Sequence, residues 1–185
     1  MLKHRRTAGV AIACATLVLA TAAAAQGRGG MGGMGMGFMV GAGRDSATRA
    51  QMMVFHELVM NHDRITRTVT NLPNGIRTTT ESADPRLAAL IKEHVASMNA
   101  RVAAADDPAL PMESSALRAI YRNGARVDTK VEETATGITI TQTSSDSAMV
   151  AALQQHATEV TDLVNRGQAA MHDAMMRNAP PGRKP

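Results

Sequence analysis

The sequence predicts an α+β fold in which a helix–strand–strand–helix unit occurs twice, its four strands forming one antiparallel sheet covered by helices on one face. The main observation is an internal repeat, because a shift of 62 positions aligns residues from about 54–102 with 116–164 without a gap. Within each repeat, apolar residues at helical spacing flank runs rich in β-branched residues. A lone hairpin is barely stable in water, so we expect the two hairpins to share a sheet.

Both identical residues and conserved apolar character carry the repeat. Identical residues recur 62 positions apart as Asn61/Asn123, Arg64/Arg126, Val69/Val131, Gly75/Gly137, Ile76/Ile138, Thr79/Thr141, Ser82/Ser144, Asp84/Asp146, Ala89/Ala151 and His94/His156. Apolar character is kept at Leu58/Ile120, Ile65/Val127, Ile91/Leu153 and Val102/Val164. This pattern predicts one pseudo-symmetric domain over 46–177. It leaves open whether the hairpins pair through their first or their second strands.

Each element of the first unit has its own sequence signal. Leu-Pro-Asn-Gly separates two β-branched runs and indicates a tight turn. Asp84 followed by Pro85 is typical of a helix start, because Asp caps the first amides and Pro suits the first helical position. The predicted elements are a helix, two strands and a second helix: 46–63, 65–70, 76–80 and 85–102.

The second unit follows the same order after a linker over 106–111, which contains two Asp and two Pro residues. Thr136-Gly137 predicts its turn, and Asp146 predicts the cap of its long helix. The predicted elements are again a helix, two strands and a helix: 113–125, 127–134, 138–143 and 147–166. A last helix is predicted over 168–177.

The two ends of the chain are predicted to differ from this domain. Residues 1–25 have the features of a secretory signal peptide: early basic residues, an apolar run, and small residues at 23–25. This predicts export to the periplasm with no membrane contact after cleavage, and the alternative is a retained anchor. Residues 26–45 are rich in Gly and Met, and the tail over 178–185 is rich in Pro, so both are predicted to be flexible.

Composition excludes several classes of function. The net charge of +4 arises mostly in the leader, since the loss of its three Lys and Arg leaves 17 basic against 16 acidic residues. This balance, with only 2% aromatic residues, argues against nucleic-acid binding. The single cysteine, in the leader, excludes an intrachain disulfide and multi-cysteine metal sites. The chain contains no G-x-S-x-G, Walker or dinucleotide-binding motif and no cysteine nucleophile outside the leader, which favours a protein without enzymatic activity over an enzyme.

Histidines on apolar helix faces are the main candidates for chemistry. His62, His94 and His156 each lie at helical spacing from apolar residues, and His94 and His156 are equivalent in the repeat. A buried imidazole needs a partner, and neutral imidazole is a common metal ligand. Met98, one turn after His94, adds a thioether. These four residues predict a transition-metal site, and copper fits imidazole and thioether ligands best.

Methionines outside this set favour copper further, and two alternatives stay open. Soft thioethers select Cu(I), and the Gly-rich segment carries several that could capture it: Met31, Met34, Met36 and Met39. The first alternative is a structural or interaction module of the periplasm whose histidines belong to the core. The second is haem binding through His94 and His156, although no C-x-x-C-H attachment motif is present.

Overall fold

The computed structural model describes residues 46–110 and 112–178, and it confirms the α+β fold with one four-stranded antiparallel sheet. The helices are α1 Ser46–Met60, α2 Pro85–Ala104, α3 Ser115–Arg122, α4 Ser147–Arg166 and α5 Gln168–Asn178. The strands are β1 Thr66–Leu72, β2 Gly75–Glu81, β3 Asp128–Glu133 and β4 Gly137–Thr143. Short 3-10 helices at His62–Arg64 and Gly124–Arg126 precede β1 and β3. The predicted leader, the Gly/Met segment and the tail after residue 178 lie outside the described residues.

The hairpins pair through their second strands, which gives the strand order β1-β2-β4-β3. In the central antiparallel pair, Thr78 faces Ile140. These two residues are 62 positions apart, so the approximate twofold axis of the repeat passes between β2 and β4. The point that the sequence left open is therefore settled by the register of the central strands. No described helix is long and apolar enough to cross a membrane.

Each central strand packs under helices of the other unit. Ile76 of β2 lies in a buried cluster with residues of α3 and α4, including Leu153. Ile138 of β4 lies in the matching cluster with residues of α1 and α2, including Ile91. The two clusters therefore contain repeat-related residues, and in each cluster the central strand comes from one unit and the helices come from the other. This arrangement makes each hairpin depend on the other unit for its buried face.

Most polar identities of the repeat have a structural function. The Asp84 carboxylate accepts hydrogen bonds from the Arg86 and Leu87 amides at the start of α2, and Asp146 accepts one from the Ala148 amide at the start of α4. The remaining pairs make equivalent bonds in the two units. Arg64 donates to Asp84, as Arg126 does to Asp146. The Ser82 hydroxyl donates to the Arg64 carbonyl, as Ser144 does to the Arg126 carbonyl. The Asn61 amide donates to the Glu57 carbonyl, as Asn123 does to the Ala119 carbonyl. Capping and loop closure thus explain why these polar residues recur.

The predicted boundaries differ from the structure where helices meet strands. The helix predicted over 46–63 ends at Met60, and the one predicted over 113–125 covers only Ser115–Arg122. In both places the chain tightens into a 3-10 helix, so the apolar spacing continues while the α-helical hydrogen bonding stops. The Ser114 hydroxyl accepts a hydrogen bond from the Leu117 amide and sets the start of α3.

Candidate functional site

A largely apolar cavity of about 460 Å³ lies between the sheet and the helices. All four residues predicted as metal ligands border it: His62, His94, Met98 and His156. A cavity of this size and lining is typical of a site for a small ligand. The four predicted residues therefore border one cavity, although their individual surroundings differ.

His94 and His156 lie at equivalent positions of α2 and α4. Both side chains are half-buried beside the cavity, yet the Nδ1 atom of each is buried and has no hydrogen-bond partner among the described residues. The His94 ring packs against Phe55, with 5.9 Å between the ring centroids. The His156 Nδ1 atom lies 3.7 Å from a carboxylate oxygen, Oε2 of Glu159. Neither nitrogen thus makes a hydrogen bond within 3.5 Å of a described residue, although His156 Nδ1 lies within ion-pair distance of Glu159.

The environment of His94 keeps its ring neutral. Burial, together with a smaller contribution from charge repulsion by His156, lowers its pKa to about 4. A neutral imidazole retains a lone pair for a ligand at ordinary pH.

His62 has a partner of its own. Its Nδ1 lies 2.8 Å from the carbonyl oxygen of Val164, in the last turn of α4. Carbonyls in the last turn lack the amide partners of a continuing helix, so this ring caps the helix end. Its other edge lies against Gly167, which has a φ of +54°. Of the three predicted histidines, His62 is therefore the one whose Nδ1 is already bonded to the main chain.

We expect Gly167→Ala to destabilise the protein by about 2 kcal/mol, because φ is positive and a Cβ would lie 2.2 Å from His62 Cδ2. Urea unfolding followed by circular dichroism measures the change. In a His62→Ala background the same substitution should cost less, since the steric part of the penalty disappears. Equal penalties in both backgrounds would contradict the packing of His62 against this glycine.

Met98 lies beside the cavity with its sulfur already oriented. The Tyr121 hydroxyl donates a hydrogen bond to Met98 Sδ at 3.1 Å. Tyr121 is almost completely buried, at 1% exposure, and burial raises its pKa. The hydroxyl therefore stays protonated and holds the thioether in place.

Across residues 46–110 and 112–178, no group of three or more His, Cys, Asp or Glu side chains could hold a metal ion. The predicted residues therefore share a cavity without forming a conventional three- or four-ligand centre. These residues could therefore bind a metal ion that needs only two or three ligands, or a ligand larger than a single ion.

Among the polar residues of the cavity that were not singled out from the sequence, Glu113 and Arg67 have buried polar atoms without a hydrogen-bond partner among the described residues. Glu113 is 2% exposed, and burial raises its pKa to about 7. Its carboxylate lies 3.9 Å from Arg118 Nε, and Asp107 is also close enough to raise its pKa. Arg67 also borders the cavity, and its Nε is buried without a partner among the described residues. Alternation along the strand could have placed Arg67 on the buried face of the sheet, because it lies two residues after the apolar Ile65. No comparable pattern predicts that Glu113 is buried.

The comparisons with known proteins add nothing to this geometry. No protein-family model matches the chain, and neither the curated proteins nor the solved structures contain a similar one. The interpretation of the site therefore depends on its own residues.

Proposed function

We propose that this protein is an exported, periplasmic protein that binds monovalent copper between His94 and His156 without catalysing a reaction. One observation carries the proposal. The Asn, Arg, Ser and Asp identities of the repeat make structural hydrogen bonds, whereas both histidine Nδ1 atoms are buried and make no hydrogen bond with the described residues; the only contact of this kind is a long one, 3.7 Å from His156 Nδ1 to Glu159. Leaving a buried polar atom unpaired costs about 1–3 kcal/mol, so a bound ligand offers a reason for both.

The donor set favours Cu(I) over other transition metals. Zinc takes four ligands in structural sites, and Cu(II) prefers a square arrangement of nitrogen and oxygen donors. Neither requirement suits a region in which the described His, Cys, Asp and Glu side chains form no three-donor group. Cu(I) accepts two neutral imidazoles in a nearly linear arrangement, and Met98 adds a soft thioether beside the same cavity.

The sequence outside the described residues supports the same assignment. A signal peptide over 1–25 would deliver the chain to the periplasm, and four methionines on a Gly-rich backbone offer thioethers for capture there. In this proposal the methionine segment collects Cu(I) and passes it to the histidine pair. His62 keeps its bond to Val164 and supports α4 without binding the ion.

The experiment is a competition titration of the mature chain, starting at Gln26, with Cu(I) and the chromophoric chelator bicinchoninate. We expect His94→Gln and His156→Gln each to lower the affinity at least about tenfold, as the loss of a ligand should exceed the loss of an outer-shell partner. His172→Gln is the matched control, because His172 is exposed. Replacing Met31, Met34, Met36 and Met39 by Leu should slow loading and leave the final affinity nearly unchanged.

Two results would contradict the copper proposal. One is no Cu(I) binding by the folded chain, which would favour a structural or interaction module with core histidines. The other is equal affinity in the wild type and in both His→Gln variants. A haemin titration in parallel tests the remaining alternative, since the cavity borders both rings. A Soret shift that is lost in both variants, without Cu(I) binding, would assign the histidine pair to haem.

A further inference from the structure

Arg67 also borders the cavity, and one of its guanidinium nitrogens has no hydrogen-bond partner among the described residues. It lies on β1 opposite Thr80, and its Nη1 donates a hydrogen bond to Thr80 Oγ1 at 2.6 Å. Its Nε is buried and has no hydrogen-bond partner among the described residues. No carboxylate of the described part of the chain lies within 4.0 Å of its guanidinium, the limit for an ion pair.

Arg67 is half-buried, and the buried Arg101 provides a comparison in which the guanidinium has several hydrogen-bond partners. Arg101 is 7% exposed, and it donates hydrogen bonds to Gln51, Thr48 and the Asp106 carboxylate. Arg67 has one neutral partner and no counter-charge. Burial consequently lowers the pKa of Arg67 to about 10, so it still carries its charge at neutral pH.

A partly buried positive charge without a counter-ion loses some of its hydration, and a carboxylate is the group that best offsets this loss. The guanidinium edge that contains Nε can donate two parallel hydrogen bonds to the two oxygens of one carboxylate. The rest of the ligand should be apolar, because apolar side chains line much of the cavity, including Leu58, Ile76, Ile91 and Ile140.

We propose that the cavity binds a small amphipathic carboxylate, of the class of medium-chain fatty acids, with its head paired to Arg67 and its tail against the apolar lining. This site is separate from the proposed copper function, because it uses a different polar residue. It holds whether or not His94 and His156 bind a metal.

Three probes with unbranched chains of ten carbons and different head groups test the proposal by calorimetric titration of the mature chain: decanoate, decanol and decyltrimethylammonium. We expect decanoate to bind most tightly, decanol more weakly and the cation least. In Arg67→Gln the dissociation constant of decanoate should rise at least tenfold, while that of decanol stays within about twofold. Arg67→Lys should fall between, since the charge is kept and the planar fork is lost.

Arg77→Gln is the matched control. Arg77 is the exposed arginine of the neighbouring strand, and strand alternation places it on the opposite face from Ile76 and Thr78, which border the cavity. It should leave decanoate binding unchanged. Decanol binding in Arg67→Gln reports that the cavity has kept its shape, so a folding defect is distinguishable from the loss of the head-group contact.

The proposal is overturned if decanoate binds Arg67→Gln as tightly as the wild type, if decanol matches decanoate in the wild type, or if none of the three probes binds. Repeating the titration with copper-free His94→Gln/His156→Gln protein separates the two proposals. Decanoate binding that persists there supports an independent carboxylate site. Binding that is lost there, with Arg67 intact, assigns the cavity to the histidines alone and overturns this inference.

Discussion

Gly75→Ala should lower the free energy of unfolding by about 3 kcal/mol, the largest effect that we expect from a single methyl group in this protein. A Cβ at residue 75 would lie 1.9 Å from the carbonyl oxygen of Gln142 and 2.9 Å from the Thr143 Cα. Both neighbours belong to the backbone of β4, so no side-chain rotation can relieve the contact. The central pair β2–β4 would have to separate at one end.

Urea unfolding monitored by circular dichroism measures this change. Gly137→Ala should have a similar effect, because its Cβ would lie 2.1 Å from the Thr80 carbonyl oxygen at the other end of the same strand pair. Thr68→Ala on the exposed edge strand β1 is the control, and we expect a change within about 0.5 kcal/mol. If Gly75→Ala changed stability as little as this control, the pairing of the two hairpins through β2 and β4 would be wrong.

Glu113→Gln and His94→Gln should change how stability depends on pH, and in opposite directions. The folded pKa of Glu113, about 7, lies above its ordinary value of 4.5, so its contribution is complete below about pH 4.5 and is lost as the pH rises through 7. The folded pKa of His94, about 4, lies below its ordinary value of 6.5. Its contribution is therefore complete above about pH 6.5 and is lost as the pH falls through 4.

In the wild type the two slopes oppose each other between about pH 4.5 and 6.5, so stability should change little there. In Glu113→Gln only the pH dependence due to His94 remains, so the free energy of unfolding should rise with pH by on the order of 2 kcal/mol across this window. Removing His94 leaves the Glu113 slope, and stability should fall with pH by a similar amount. Asp84 and Asp146, whose pKa values are lowered chiefly by hydrogen bonds from backbone amides and arginines, act only at lower pH.

The free energy of unfolding of each variant, measured in urea at half-unit steps from pH 4 to pH 8, checks this prediction. Glu113→Gln should also be more stable than the wild type at pH 8, because no buried carboxylate then has to ionise. Ser114→Ala is a useful neighbour control, since it removes a cap and a bond to Glu159 without changing the titration of residue 113 directly. Profiles of both main variants that run parallel to the wild type would contradict the buried state of these groups.

Local sequence signals were sufficient for most of the secondary structure. The Asp84-Pro85 start of α2 and the Asp146 cap of α4 are where the pattern predicted them, and α4 has the predicted bounds. These signals work because capping and β-branching act over a few residues. The ends of α1 and α3 were missed because 3-10 and α-helical turns share nearly the same apolar spacing.

The site was predictable only in part. The repeat marked His94 and His156 as a pair, and Met98 followed from helical spacing. The bond of His62 to Val164, the unpaired Nε of Arg67 and the burial of Glu113 depend on segments that are distant in sequence. No periodic pattern encodes whether a polar side chain finds a partner across such a distance.

Residue order alone thus determined the α+β class, the recurrence of the helix–strand–strand–helix unit and the equivalence of two histidines. These depend on short-range spacing and on the comparison of one half of the chain with the other. Tertiary structure alone decided that β2 pairs with β4 and that each central strand lies under the other unit's helices. It also decided which polar atoms of the cavity are left unpaired, because pairing and desolvation are properties of the packed whole.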